Sequence, residues 1–158
     1  MTRTEIMRRE QTLVQQDIES SRRLRMMHRS SGTYVIVEDD ASTGQLLEVI
    51  LKTKGRAVAI FSGTDAARNF VESSGAPNVS CCVVDLNLGC DNGERFVEWL
   101  EKTHKDVPVV IYTADDARGR AVKTKYPCIN VLFKNGGHQV KSLMSALGLT
   151  DGPVLLTG

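Results

Sequence analysis

The sequence predicts an α/β protein built on a doubly wound, five-stranded parallel sheet, with an extra helix at its amino terminus. Three observations predict it. Short apolar runs at Thr33–Val37, Ala57–Phe61, Cys81–Val84, Pro108–Tyr112 and Ile129–Phe133 are separated by stretches with helical periodicity. Cys81–Val84 is continuously apolar instead of alternating, as suits a strand covered on both faces. Strands that alternate with helices imply right-handed crossovers and a parallel sheet.

Residues 3 to 28 contain no Pro or Gly and are rich in Arg, Glu, Gln, Leu and Met, a helix-forming composition. Ile6, Leu13, Val14, Ile18, Leu24 and Met27 form a stripe that Ser20 interrupts. Two readings of residues 1–31 stand side by side: a dimerising helix, or a solvated basic leader. Ser30, Ser31 and Gly32 break the helix, and the first strand then runs into Glu38, Asp39 and Asp40, of which Asp40 is expected to cap the next helix. That helix carries Leu46, Leu47, Ile50 and Leu51 inward and closes at Gly55.

The second strand leads through Gly63 to a helix over 64–73 with Ala66, Ala67, Phe70 and Val71 as its inner face. A turn at 75–78 precedes the third strand, which stops at Asp85 before a loop of Asn, Asp and Gly. Phe96, Val97, Trp99 and Leu100 then share one helical side. The fourth strand leads to Thr113 and to a helix weakened by Gly119; the fifth leads to Lys134 and a helix over 138–147 that ends at Gly148. The main domain is thus expected over 32–148, with 149–158 as a loosely packed tail.

Charge narrows the function classes. Twenty basic and nineteen acidic residues leave no cationic excess of the kind that drives non-specific nucleic-acid binding. The first 30 residues are basic, with seven Arg against four acids, and the remainder is slightly acidic. No stretch reaches the roughly 18 apolar residues of a membrane span and no signal-peptide core is present, so a cytoplasmic protein without nucleic-acid or membrane partners is expected. Cys81, Cys82, Cys90 and Cys128 lack paired metal or redox spacing; Cys90 is expected at the surface and the other three in the core. His28, His104 and His138 are expected at the surface.

Ligands of open α/β sheets bind at the carboxyl ends of the strands. There Glu38, Asp39 and Asp85 converge, with Thr113 and Lys134 on the far side of Asp85. Three close carboxylates need a cation, and hard oxygen donors with room for water suit Mg²⁺, with the backbone carbonyl of Asn87 as a further ligand. A carboxylate in such a setting can act as a nucleophile toward phosphorus, which makes Asp85 the candidate phosphoacceptor; Lys134 and Thr113 would compensate charge on the phosphoryl oxygens.

The segments VIVEDD, VVDLNLGCDNG, VVIYTA and VLFK resemble, in order and spacing, the signature segments of the receiver domain of two-component response regulators, most closely the single-domain chemotaxis type. The resemblance covers about residues 33–147 and implies a flavodoxin-like (βα)5 fold. It implies phosphorylation of Asp85 by a sensor histidine kinase or histidine phosphotransfer protein, Mg²⁺ held at Glu38 and Asp39, phosphoryl contacts from Thr113 and Lys134, and signalling to a downstream protein partner instead of enzymatic turnover. It also implies that Asn87 and Asp115 tune the lifetime of the phosphoryl group.

Three departures stand out. Asn135, Gly136 and Gly137 replace a proline after Lys134, Val131 replaces a frequent aromatic, and Gly89 replaces a frequent proline. Two other readings remain: a pseudo-receiver binding module acting without phosphorylation, and a metal-dependent phosphatase with an aspartyl nucleophile. The latter family carries a second Asp where this chain has Asn87.

Overall fold

A computed structural model describes residues 1–28, 32–135 and 139–149. Helix α1 (Arg3–His28) is followed by β1 (Thr33–Val37), α2 (Ala41–Thr53), β2 (Ala57–Phe61), α3 (Thr64–Ser74) and β3 (Val79–Val84). Two-residue strands β4 (Asn87–Leu88) and β5 (Asp91–Asn92) lead into α4 (Gly93–Thr103), β6 (Val109–Thr113), α5 (Asp116–Lys125), β7 (Asn130–Phe133) and α6 (Gln139–Ala146). The five-stranded sheet has the order β2-β1-β3-β6-β7 and all its neighbours run parallel, as the sequence predicts.

The apolar runs become strands because both faces of the sheet are covered. On one face Val35, Val37, Cys82, Val84 and Ile111 pack with Ala67 and Val71 of α3, Phe96, Val97 and Leu100 of α4, and Val122 of α5. On the other, Tyr34, Ile36, Cys81, Val83, Val110 and Tyr112 pack with Leu47 and Leu51 of α2, with Leu143 and Ala146 of α6 and with Leu147 just after it. Every residue of β3 is buried. Burying a Leu, Val or Phe side chain contributes roughly 1.5–3 kcal/mol, so these two layers dominate the favourable side of folding.

Helix starts are set locally. Asp40 caps α2 as expected, accepting the Thr43 N–H at 2.9 Å. Asn92 caps α4 through the Glu94 N–H at 2.9 Å, and Asp115 caps α5 through the Arg118 N–H at 3.0 Å. Gly63 supplies no side chain at the start of α3; Asp91, 27 residues away, takes the Thr64 N–H at 2.7 Å instead. At the end of α6, Gly148 has φ +70, and the N–H groups of Gly148 and Leu149 return to the carbonyls of Ser145 and Met144. This double closure seats Leu149 in the core, although the sequence places it in a loose tail; residues 150–158 of that tail lie outside the described residues.

Other expectations are corrected. Ala66 and Leu46 face solvent, because Ala67 and Val71 on α3 and Leu47 and Leu51 on α2 already fill the space against the sheet. Cys128 is exposed, since it lies in the turn before β7 and not in the strand. His104, at the end of α4, stands edge-on to Trp99 with ring centroids 5.1 Å apart and its Nε2 buried, so it belongs to a packed corner. The side-chain pattern of α1 is described as far as Ile18; Ile6, Leu13 and Val14 are exposed, while Leu24, Met27 and His28 fall outside the described side chains.

Candidate functional site

The chain winds outward from β1 to β2, then crosses to the other half of the sheet at β3, so the winding direction reverses between β1 and β3. The carboxyl ends of those two strands flank the crevice that such a reversal opens. One further backbone bond past each strand end fixes the residue that follows. Glu38 N–H donates to the Phe61 carbonyl at 2.9 Å, Asp85 N–H to the Val37 carbonyl at 2.9 Å, and Lys134 N–H to the Thr113 carbonyl at 2.8 Å. Glu38, Asp85 and Lys134 are thereby held in register with the sheet, although none belongs to a strand.

Glu38, Asp39 and Asp85 each offer a carboxylate oxygen within 4.8 Å of the others. Glu38 and Asp85 are 5% and 6% exposed, whereas Asp39 is open to solvent. The Lys134 ammonium donates to Glu38 Oε2 and to Asp85 Oδ2, both at 2.7 Å. It also lies 5.6 Å from the Tyr112 ring centroid. Glu38 Oε1 accepts the Asp40 N–H at 3.1 Å, and Asp85 Oδ1 accepts the Asn87 N–H at 3.1 Å.

Burial pushes the Glu38 carboxyl above its ordinary value, a rise that the Lys134 and Asp40 hydrogen bonds only partly offset. Burial alone would pull Lys134 down, but its bonds to Asp85 and Glu38 and their charges leave it raised. The lysine stays charged and the acidic cluster is short of positive charge. Hard oxygen donors at this spacing, one of them solvent-facing, suit a small divalent cation that keeps several waters, so the donor set fits Mg²⁺.

Thr113 is fully buried, and its hydroxyl accepts the Asp115 N–H at 3.1 Å. Asp85, Asn87, Ala114, Asp115 and Asp116 line one open depression, so Asn87 and Asp115 do flank Asp85. Gly93 sits directly beneath: a Cβ there would stand 2.1 Å from the Asp85 carbonyl oxygen, which leaves room only for glycine. Gly89, first residue of the two-residue turn between Leu88 and Asp91, has φ +68. Primed hairpin turns require positive φ there, which proline cannot adopt, so the departure at Gly89 has a local cause. There is no cis peptide bond among the described residues, which include Lys134 and Asn135.

The profile of the response regulator receiver domain matches residues 34–136. The chain belongs to the response regulator receiver family. Among curated proteins it is similar to the transcriptional regulatory protein QseB of Haemophilus influenzae, 34% identical over 89 residues, which cover 56% of this chain and 39% of that relative. The chain thus spans well under half of the regulator it matches.

Among solved structures, a response regulator receiver protein from Burkholderia phymatum is 24% identical with a TM-score of 0.61, covering 76% of this chain and 98% of that one. The chemotaxis protein CheY4 of Vibrio cholerae is 17% identical with a TM-score of 0.62, covering 74% and 96%. At such identities these neighbours show the fold. Receiver domains serve two-component systems, are generally signalling modules, and typically bind Mg²⁺ in an acidic pocket. No described helix of this receiver is long and apolar enough to cross a membrane.

Every residue singled out in the sequence for the site, Glu38, Asp39, Asp85, Asn87, Thr113 and Lys134, lies at the carboxyl edge of β1, β3, β6 or β7. Sequence reasoning missed Arg118, read only as part of a basic segment. Its Nε donates to Glu94 Oε1 at 2.6 Å, and its Nη2 donates to the Leu86 carbonyl at 2.8 Å and to Asn92 Oδ1 at 3.1 Å. A partial signal exists in Asp115, which caps the helix three residues before Arg118 and so fixes its first turn.

Proposed function

We propose that the chain is a cytoplasmic receiver that accepts a phosphoryl group on Asp85 from a histidine kinase or histidine phosphotransfer protein and signals through altered contacts with a downstream protein. One observation carries the reading: the Lys134 ammonium lies 2.7 Å from both Glu38 and Asp85, at the strand ends where three carboxylates meet.

Glu38, Asp39, Asp85 and the Asn87 carbonyl would hold Mg²⁺, which when bound supplies charge compensation for the carboxylates and the phosphoryl oxygens. An oxygen of Asp85 forms the new P–O bond as the P–N bond of the donor breaks, and the electron pair leaves with the imidazole. Lys134 then turns from Asp85 Oδ2 toward the new anionic oxygens, and the Thr113 hydroxyl turns from the Asp115 N–H to meet them. Such fixed donors act at the charge that develops during transfer, and little other chemistry is asked of the protein. On this reading the protein is phosphorylated once and does not turn over a substrate as an enzyme.

The deciding experiment is intact-protein mass after incubation with acetyl phosphate and Mg²⁺, beside Asp85→Asn. One added phosphoryl group, absent in the variant and without the metal, is the expected result. No adduct on a folded protein would instead support a pseudo-receiver acting by constitutive contacts. Steady release of phosphate from a small phosphomonoester would point to the phosphatase reading, against which Asn87 stands. The exposed Ile6, Leu13 and Val14 of α1 favour an added role in homodimer formation. Molar mass of the chain before and after removal of residues 1–30 tests that.

A further inference from the structure

We infer that Arg118 is the positioning residue that ties the loop after Asp85 to α5, so that a change at Asp85 is read by the first turn of that helix. The inference rests on the phosphoacceptor reading of Asp85. Three acceptors within the segment 86–94 converge on the one guanidinium: the Leu86 carbonyl directly after Asp85, the Asn92 side chain that caps α4, and the Glu94 carboxylate. The planar guanidinium reaches Glu94 from Nε and Leu86 and Asn92 from Nη2, a spread of donors in a fixed fork that the single nitrogen of an ammonium does not reproduce.

The other side of Arg118 leads to Thr113. The Arg118 N–H donates to Asp115 Oδ1, and the Asp115 N–H donates to the Thr113 hydroxyl. Asp85 and Thr113, two of the groups placed to touch a phosphoryl group, are therefore joined by a continuous path through Leu86, Arg118 and Asp115. Asp85 and Asp115 of this path line one depression together with Asn87, Ala114 and Asp116.

Stability is not the main use of this arrangement. The Arg118 and Glu94 side chains are 33% and 41% exposed, and ion pairs at such exposure contribute little to folding. What the contacts fix is position. When the Thr113 hydroxyl leaves the Asp115 N–H, the α5 cap loosens on one side while Arg118 keeps the helix fastened to the 86–94 segment. The first turn of α5 then moves with the loop, not independently of it. Without Arg118 the loop would still respond to a group on Asp85, but α5 would keep only the loosening that Thr113 imposes through Asp115.

The test is amide hydrogen exchange on the full chain with and without Mg²⁺ and beryllofluoride, a phosphoryl mimic, for the unaltered protein, Arg118→Ala and Arg118→Lys. In the unaltered protein, exchange is expected to change both in 86–94 and in α5. In each variant the change in 86–94 persists and the α5 change is diminished, the lysine failing because one nitrogen cannot stand where both Nε and Nη2 of Arg118 stand. An α5 response of undiminished size in either variant overturns the inference while leaving Asp85 as the acceptor. No response in 86–94 of the unaltered protein overturns the phosphoacceptor reading, and this inference with it.

Discussion

Lys134 and Glu38, separated by 96 positions in the chain, meet through a 2.7 Å hydrogen bond at the carboxyl edge of the sheet, and the same ammonium reaches Asp85. The lysine side chain is 19% exposed and the side chains of the two acids 2% and 7%, so its charge offsets two nearly buried carboxylates. Removing it as Lys134→Ala is expected to lower stability by about 2 kcal/mol, less than the roughly 3–5 kcal/mol for breaking a fully buried pair because solvent still reaches the site. Added Mg²⁺ should raise the melting temperature more in the variant than in the unaltered protein, since the ion would replace the lost charge. Thermal unfolding of both proteins with and without the ion reads the effect; equal shifts would mean that the acids are not short of a cation.

The path from Asp85 to its surroundings also runs through a glycine. A methyl group at Gly93 would collide with the Asp85 carbonyl oxygen, a backbone atom that cannot rotate away. Gly93→Ala is therefore expected to lose about 1–3 kcal/mol, the range for forced overpacking, and to reduce phosphoryl uptake from acetyl phosphate. Urea unfolding and intact mass measure the two effects. An unchanged unfolding midpoint would show that the start of α4 can retreat without penalty.

Asp91 offers a pH-dependent test away from the acidic cluster. Its hydrogen bond from the Thr64 backbone N–H leads the causes that hold its carboxyl below the ordinary 3.8. A depressed carboxyl contributes stability that is present above 3.8 and is lost as pH falls through the folded value. Asp91→Ala should lose about 1 kcal/mol near neutral pH, as for other helix caps, and the difference from the unaltered protein should shrink in acid. Asp91→Asn keeps an acceptor for the Thr64 N–H and should lose less. A stability difference for Asp91→Ala that stays constant through the acid range would exclude the charged cap.

The legible parts of the chain are those whose neighbours impose a local pattern. β3 reads as a strand because all six of its residues are buried, and the charge that follows marks where the cover ends. Glu38, Asp85, Thr113 and Lys134 were visible for the same reason, each standing just where an apolar run stops. Arg118 was not, because its partners Leu86, Asn92 and Glu94 lie 24 to 32 positions away, in the loop after β3, in β5 and in α4, and no spacing records such contacts. Asp91 escaped likewise, since a cap supplied from 27 positions away leaves the start of α3 looking uncapped. Cys128 misled because composition places cysteine in cores, whereas a turn residue beside a strand faces out.

Gly119 shows how a local reading and a packing reading part company. By helix propensity it weakens α5, and replacing glycine by alanine in an exposed helix would gain about 1 kcal/mol. In the fold it is buried where α5 crosses β7: a Cβ at this position would stand 2.6 Å from Phe133 Cε1 and 3.2 Å from Val131 Cγ1. Phe133 is half-buried on β7 and its ring is a rigid plate, not the end of a flexible chain, so the clash of about 1–3 kcal/mol should outweigh the propensity gain. Gly119→Ala is expected to be destabilised by about 1 kcal/mol net, the difference between these two effects. Phe133→Leu, made in the same background, should recover part of the loss by removing the ring edge that the methyl group meets. Denaturant unfolding of the single and double variants forms a cycle, and a Gly119→Ala protein more stable than the unaltered one would mean that α5 shifts along β7 freely enough to make room.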